Sequence, residues 1–268
     1  MPLQININYL NGFPAPAMQA VNRACNTWEQ ALDSTVDVNI DAYWGIPLPG
    51  LVAMCVPNGF ENFPNAPLAD TWYTGALADK LCGQDCDPGL PDMAIYFNSV
   101  QCSFNTNPAH CPLNDYDLET IALHEMGHGF GFIGLFWVVT NAVPQLGSYG
   151  SPAVLGQIGG NLPVPFNMPV LNFHPSVFGR LVHDANGQLL TTYPNNSAPL
   201  AAALQSNALF LTLPNGVQRP IYAPAVFQPS SSGDHFTANS LMVPAFGTGV
   251  QIHAIDAPTL DVMAMMGW

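Results

Sequence analysis

Basic side chains are almost absent from this sequence of 268 residues. Lysine and arginine together number 4, against 18 aspartates and glutamates, and the formal net charge is −14. A protein that binds DNA or RNA needs a basic surface to neutralise phosphates, and four cations cannot form one. Anionic membrane surfaces are disfavoured for the same reason. The composition therefore excludes nucleic acid as a partner.

Charged residues of both signs are scarce, at 8% of the chain, whereas hydrophobic residues make up 49%. A chain this apolar can bury enough surface to offset the entropy lost on ordering, which excludes intrinsic disorder. The longest apolar run, residues 121–139, contains His124, Glu125 and His128. Polar groups inside a membrane span are costly. The run therefore predicts a buried helix that carries a site, and we expect no transmembrane segment.

Glutamate is much rarer than aspartate in this sequence. Its four positions are Glu29, Glu61, Glu119 and Glu125, and none follows residue 125. The acidic residues as a whole are concentrated in residues 1–125, which hold 14 of the 18. A later glutamate is therefore not available for any site in the second half of the chain.

All six cysteines also lie in the first half of the chain, at Cys25, Cys55, Cys82, Cys86, Cys102 and Cys111. An even number of cysteines confined to one region predicts disulfides and an oxidising, extracellular compartment. The short separations in sequence favour disulfides between Cys82 and Cys86 and between Cys102 and Cys111. Cys25 and Cys55 would then form the third pair. Buried free thiols in a cytosolic protein are the alternative. No signal peptide is recognisable at residues 1–4, so we expect a mature secreted form.

Hydrophobic periodicity predicts an α+β fold. Steps of two indicate strands, and steps of three and four indicate amphipathic helices. Residues 3–9 and 36–42 alternate as strands do, and residues 93–98 are a further strand candidate. Residues 14–32 follow the helix pattern, and capping aspartates predict two more helices at 117–129 and 256–266. Beyond residue 140, Pro, Gly, Asn and Ser interrupt the chain every few residues, which predicts an irregular region before the last helix.

The segment from His124 to His128 is an HExxH motif. Residues four apart share one face of a helix, so both imidazoles can reach the same ion. Zinc suits imidazole ligands and leaves a position open for water, and Glu125 is placed to accept a proton from that water. The alternative is a pair of core histidines that hydrogen-bond to the backbone.

A catalytic zinc ion commonly has three protein ligands. Because no glutamate follows Glu125, a downstream glutamate cannot be the third. Gly131 lies where a tight turn can end the helix, since glycine tolerates positive φ. The third ligand must therefore come from elsewhere in the chain. The downstream candidates are four histidines and four aspartates: His174, His183, His235, His253, Asp184, Asp234, Asp256 and Asp261.

Three segments together resemble leishmanolysin-type metzincins and secreted bacterial peptidases that have a distant third histidine. These segments are residues 123–132, residues 230–244 with His235 and Met242, and the terminal residues 259–268. The resemblance implies a metzincin-like zinc metallopeptidase. His235 would be the third ligand, Met242 the Met-turn residue beneath the zinc, and Gly131 the glycine that ends the active-site helix.

The same resemblance implies a division into two subdomains. Residues 1–134 would form an upper subdomain, with a twisted mixed sheet, a backing helix and the active-site helix. Residues 135–268 would form a lower, irregular subdomain with an insertion, the third ligand, the Met-turn and a terminal helix. Residues 93–98 would be the edge strand that pairs with extended substrate, and Tyr149 and Tyr222 are candidate oxyanion stabilisers.

The sequence thus predicts a secreted zinc endopeptidase that acts on proteins or peptides. Two alternatives remain: a non-catalytic zinc-containing binding module, and a zinc hydrolase of a non-peptide amide or ester. Aspartates such as Asp85, Asp87 and Asp92 also suggest calcium. Their loose spacing is more typical of solvated loops, so calcium is only a second candidate cofactor.

Overall fold

The computed structural model describes residues 1–151, 162, 164–166 and 172–268. These residues contain five α-helices: Ala15–Ala31 (α1), Gly75–Cys82 (α2), Leu118–Gly129 (α3), Ala198–Leu204 (α4) and Ala257–Met266 (α5). The first eight strands are Ile5–Leu10 (β1), Val38–Trp44 (β2), Ala53–Pro57 (β3), Gly59–Glu61 (β4), Trp72–Thr74 (β5), Met93–Phe97 (β6), Phe104–Asn105 (β7) and Tyr116–Asp117 (β8). Four more are Phe136–Val139 (β9), Leu146–Tyr149 (β10), Leu209–Thr212 (β11) and Gln218–Ile221 (β12). The predicted α+β class is confirmed.

The central sheet has four strands in the order β1-β2-β6-β3. Strands β1, β2 and β6 run parallel, and β3 pairs antiparallel with β6. The other sheets in the described residues have two strands each. The sheet is therefore mixed, as predicted.

The prediction that residues 93–98 form the edge strand is wrong. Strand β6 (Met93–Phe97) lies between β2 and β3, and all five of its residues are buried. A strand covered on both faces carries a continuous apolar sequence, and that is what this segment has. The edge strand on this side of the sheet is β3 (Ala53–Pro57).

Helix α1 lies behind the site helix α3. Its buried residues recur at steps of three and four, and Trp28 at its end is fully buried. The Trp28 indole Nε1 donates a hydrogen bond to Leu123 O of α3 at 3.1 Å, and its ring meets Phe130 at a centroid distance of 5.0 Å. Helix α1 is thus the backing helix that the sequence predicts.

Helix α3 is buried on all sides, with eleven of its residues inside the protein. Asp117 caps its beginning, and its Oδ1 accepts a hydrogen bond from Thr120 N at 2.9 Å. No helix in the described part of the chain is long and apolar enough to cross a membrane. The apolar run from 121 onward is therefore core sequence in the structure.

The end of the chain packs against the end of α3. Asp256 caps α5 by accepting from Thr259 N, and Trp268 Nε1 donates to Phe130 O at 2.6 Å. One buried apolar cluster contains residues from both sides of position 134. The division into 1–134 and 135–268 therefore remains an interpretation of the sequence.

The predicted disulfides are absent, and all six cysteines (Cys25, Cys55, Cys82, Cys86, Cys102 and Cys111) are free thiols. Cys25 lies beside Tyr9 of β1, whereas Cys55 is on β3 at the opposite edge of the sheet. Cys25 is carried by helix α1 and Cys55 by a strand, and neither is bonded to another cysteine. Cys82 and Cys86 do lie in contact. Secretion therefore remains a prediction without support from a disulfide framework.

We expect Trp28→Ala to lower the free energy of unfolding by about 3–5 kcal/mol, because it opens a cavity between α1 and α3. Urea unfolding measures this change. Gln30→Ala, on the exposed side of the same helix, should change the stability by less than about 0.5 kcal/mol. Equal losses in the two variants would contradict the assigned packing.

Candidate metal centre

His124 and His128 project from the middle and the end of α3. Their rings meet at a centroid distance of 4.7 Å, as expected for residues one turn apart. His128 is the last residue but one of the helix, which ends at Gly129. The helix therefore presents both imidazoles toward the same side.

His235 comes from a loop more than a hundred residues later in the chain. Tyr222 N donates to His235 O at 2.8 Å, and Phe236 N donates to Met242 O at 2.7 Å. These backbone bonds hold the loop against β12 and the segment around Met242. The His235 ring stacks parallel to that of His124, with centroids 5.2 Å apart.

Each of the three imidazoles bonds to a backbone carbonyl through Nδ1. His124 Nδ1 is 2.9 Å from Leu241 O, His128 Nδ1 is 2.7 Å from Phe132 O, and His235 Nδ1 is 2.9 Å from Ser231 O. A carbonyl oxygen can only accept, so each Nδ1 carries the proton. Each Nε2 then has a free lone pair, and this is the tautomer that binds a metal.

The three Nε2 atoms converge. The distance from His128 to His124 is 3.1 Å, from His128 to His235 3.2 Å, and from His235 to His124 3.3 Å. None of these contacts is a hydrogen bond, because no Nε2 has a proton to donate. Nitrogens bound about 2.0–2.1 Å from a tetrahedral zinc ion are about 3.3 Å apart. The donor set therefore fits zinc.

Burial keeps these imidazoles neutral. It lowers the pKa of His124 to about 3 and that of His128 to about 4, and the pKa of His235 is also far below its usual value. The backbone bonds at Nδ1 oppose this shift only in part. At neutral pH, protons therefore do not compete with a metal ion for the three Nε2 atoms.

Glu125 lies beside the three histidines and lines the same cleft. Burial raises the pKa of its carboxyl group to about 8, and a hydrogen bond with the Cys55 backbone opposes this rise. Cys55 belongs to β3, so the edge strand contacts the carboxyl group directly. A cation in the centre would favour the ionised carboxylate, because opposite charges within about 4–6 Å attract.

Met242 is fully buried beneath α3. A Cβ on Gly127 would lie 2.5 Å from Met242 Sδ, so glycine is what allows this close approach. Gly131 has φ +125°, in the region that favours glycine, directly after the helix. The positive φ of Gly131 agrees with a tight turn at the end of the helix, and the Met-turn role of Met242 stays a prediction.

The cleft around the centre has mainly apolar walls. One wall is formed by residues 50–55, which include the first half of β3, and another by residues 243–246. Phe246 meets His124 edge-to-face, at a centroid distance of 5.4 Å. Tyr116 and Ile121 also line the cleft. These side chains are what a molecule entering the cleft would contact.

Three of the four other histidines have structural partners. His253 Nε2 bonds to the capping residue Asp117 at 2.8 Å, and His174 Nδ1 bonds to Glu61 at 2.8 Å. His183 stacks on Phe210, with centroids 5.5 Å apart. His253, the alternative third ligand, is therefore a helix-cap residue in this fold.

The two candidate oxyanion tyrosines lie outside the cleft. Tyr149 Oη contacts Thr191 O, and Tyr222 Oη donates to Gln228. Tyr116 lines the cleft instead, and the sequence analysis missed it. Its position could have been predicted, because Tyr116 directly precedes Asp117, the residue that caps α3, and therefore lies near the start of the site helix.

Asp234 is a partly buried residue whose role in positioning the His235 loop was not predicted from the sequence. It neighbours His235, and its Oδ1 accepts a hydrogen bond from Gly134 N. Burial raises the pKa of this carboxyl group to about 7. The bond joins the His235 loop to the segment that follows α3, so it helps to fix the third histidine.

No protein-family model, curated protein or solved structure matches this chain. The functional argument therefore depends on the residues and their geometry.

We expect His235→Ala to lower zinc affinity by more than about a hundred-fold, since loss of an outer partner alone costs about 10–100-fold. His253→Ala is the matched control. It should keep one zinc ion per chain and lose some stability, because Asp117 loses a partner. Metal analysis after dialysis measures both. Zinc retained in His235→Ala but lost in His253→Ala would refute the assignment.

Proposed function

We propose that the protein is a metzincin-like zinc endopeptidase that hydrolyses peptide bonds in secreted surroundings. The convergence of three unprotonated Nε2 atoms in a cleft, with a carboxyl group beside them, carries the proposal. The group found in the described residues contains three histidines and no fourth protein ligand. Three ligands leave a coordination position for substrate or water, as in catalytic zinc sites.

His124, His128 and His235 would hold the ion. A bound zinc ion supplies Lewis acidity, which lowers the pKa of water toward neutrality and polarises a carbonyl. The histidines themselves contribute position, because their Nδ1 bonds to carbonyls fix the rings before any ion arrives.

Glu125 would act as general base and then as general acid. Its carboxylate accepts one proton as water attacks the scissile carbonyl carbon. The same proton then passes to the leaving nitrogen when the C–N bond breaks, so the carboxylate is regenerated. The hydrogen bond with the Cys55 backbone orients the carboxyl group toward the cleft.

Strand β3 would bind the substrate backbone. Within the described residues, β6 is its one partner in the central sheet, so no strand pairs with its other edge there, and residues 53–55 line the cleft. An extended peptide can add to such an edge as a further strand. We therefore assign substrate pairing to Ala53–Pro57, because residues 93–98 lie inside the sheet.

Two further functions compete with peptide hydrolysis. A non-catalytic zinc module would need the open coordination position closed by another ligand, and the three-histidine group argues against it. A hydrolase of a non-peptide amide or ester would use the same centre. The free edge of β3 favours the peptidase, because such a strand recognises a peptide backbone.

We expect Glu125→Gln to retain zinc and to lose peptidase activity by about 10²–10⁴-fold, because the amide cannot carry the proton. Cleavage of casein and of a fluorogenic peptide measures the loss. Glu29→Gln makes the same substitution where the side chain only accepts a hydrogen bond from Ile5 N. It should keep full activity.

An active Glu125→Gln enzyme would remove the mechanism. If the wild-type protein bound zinc and cleaved esters or small amides but no peptide, the centre would stand and the peptidase assignment would fail. Zinc binding without any hydrolysis would favour the binding module.

A further inference from the structure

A second group of acidic residues lies away from the three histidines. It consists of Asp79 on α2, Asp85 and Asp87 in the following loop, and Asp92 just before β6. Ligand oxygens of Asp79, Asp85 and Asp87 lie within 4.8 Å of one another. Two oxygens on opposite sides of one calcium ion, each bound at about 2.3–2.6 Å, are separated by about that distance. We call these four residues the acidic cluster.

The loop of the acidic cluster is folded back on the helix. Cys86 N donates to Asp79 Oδ1 at 2.9 Å, and Asp87 N donates to Asp85 Oδ1 at 3.0 Å. The Asn58 side-chain amide donates to Asp87 Oδ2. The carboxylates are thus held by local bonds, which use only some of their oxygens.

Asp92 provides an observation independent of the clustering. It is only 2% exposed, and its Oδ1 is buried without any hydrogen-bond partner. Its Oδ2 accepts from Asn39 N at 2.8 Å, so the orphaned atom is the other oxygen. Oδ1 lies against Gly75 at the start of α2, one turn before Asp79, and the carboxyl groups of Asp92 and Asp79 are in contact.

No basic side chain neutralises this group in the part of the chain that the structure describes. None of the ion pairs there includes a member of the acidic cluster. Lys80, the neighbour of Asp79 in sequence, points elsewhere and donates to Gly267 O at 2.6 Å. A buried, unpaired carboxylate costs several kcal/mol unless a cation or a proton compensates it.

We propose that the acidic cluster binds one calcium ion, with Asp79, Asp85, Asp87 and Asp92 as carboxylate ligands. Oxygen donors without imidazole or thiolate ligands suit a hard cation, and four carboxylates suit calcium better than magnesium, which keeps several waters. Asp92 lies outside the three residues whose oxygens converge and joins them through its contact with Asp79, so it would be the deepest ligand. The site is separate from the histidine centre and does not depend on the proposed peptidase activity.

The ion would connect helix α2 with the sheet. Asn58, directly after β3, donates its backbone N–H to Asp92 O at 2.8 Å, and Gly75 N donates to Asn58 O at 2.8 Å. The acidic cluster therefore lies where the end of β3, the start of β6 and the start of α2 meet. Calcium binding should stabilise the far end of the strand whose first half lines the cleft.

A shared proton between Asp79 and Asp92 is the competing explanation. Burial and the neighbouring carboxylates raise the pKa of Asp92 to about 8 and that of Asp87 to about 6. Groups with a raised pKa favour the folded state when protonated. The ion-free protein should therefore lose stability as the pH rises from about 4, where these groups titrate in the unfolded chain, to about 8, and calcium should remove that loss.

The test uses the full-length Glu125→Gln protein, which prevents self-cleavage, freed of metal and given one equivalent of zinc. Calcium is titrated by calorimetry, and the thermal midpoint Tm is followed with and without calcium. We expect one calcium ion per chain. At a hundred times the Kd, the Tm should rise by about 5–10 °C.

Asp87→Asn, which changes a half-exposed ligand, should weaken calcium binding at least about tenfold and reduce the rise in Tm accordingly. Asp37→Asn is the matched control on the exposed surface, and it should behave like the parent. Magnesium at the same concentration should produce a smaller shift.

Absence of binding up to about 10 mM calcium would overturn the proposal. A Tm that falls with pH and ignores calcium would also overturn it, in favour of the shared proton. Equal calcium binding by Asp87→Asn and its parent would place the ion elsewhere. Because no readout depends on peptide cleavage, these outcomes are independent of the proposed peptidase function.

Discussion

Three buried imidazole nitrogens with free lone pairs lie within 3.3 Å of one another. Their lone pairs repel, and burial disfavours the protons that would relieve the repulsion. The carbonyls of Leu241, Phe132 and Ser231 hold the rings in the one tautomer that cannot form hydrogen bonds among them. A cation is the partner that satisfies this arrangement, and much of the surrounding structure serves to maintain it.

Contacts elsewhere in the fold keep the three histidines in place. Trp28 anchors the backing helix to α3, and Met242 fills the space that Gly127 leaves beneath it. Trp268 closes the end of α3 through its bond to Phe130 O. Asp234 connects the His235 loop to the chain after the helix. These contacts come from distant parts of the sequence, so the third ligand arrives by tertiary packing.

Part of the site could be predicted from short sequence patterns. His124 and His128 share a helix face because of their spacing, and Gly131 follows from the turn that ends the helix. The absence of a later glutamate removed one class of third ligand, and the resemblance to leishmanolysin-type metzincins then selected His235, which a methionine follows seven residues later. None of these predictions requires knowledge of the order of the strands in the sheet.

The errors concern properties that only the assembled fold determines. An all-buried sequence such as that of β6 indicates an interior strand, yet it was assigned to the edge. Cysteine spacing said nothing about which strands would separate Cys25 from Cys55. The burial of Asp92 could not be read from a spacing typical of loops, because it arises where α2 packs on the ends of β3 and β6.

X-ray absorption spectroscopy of the zinc-loaded protein tests the central claim most directly. The account predicts three imidazole nitrogens and one oxygen ligand at about 2.0–2.2 Å, with no sulfur at about 2.3 Å. The His235→Ala spectrum should lose one imidazole contribution. A sulfur ligand, or four protein ligands in the wild-type spectrum, would contradict the open three-histidine centre.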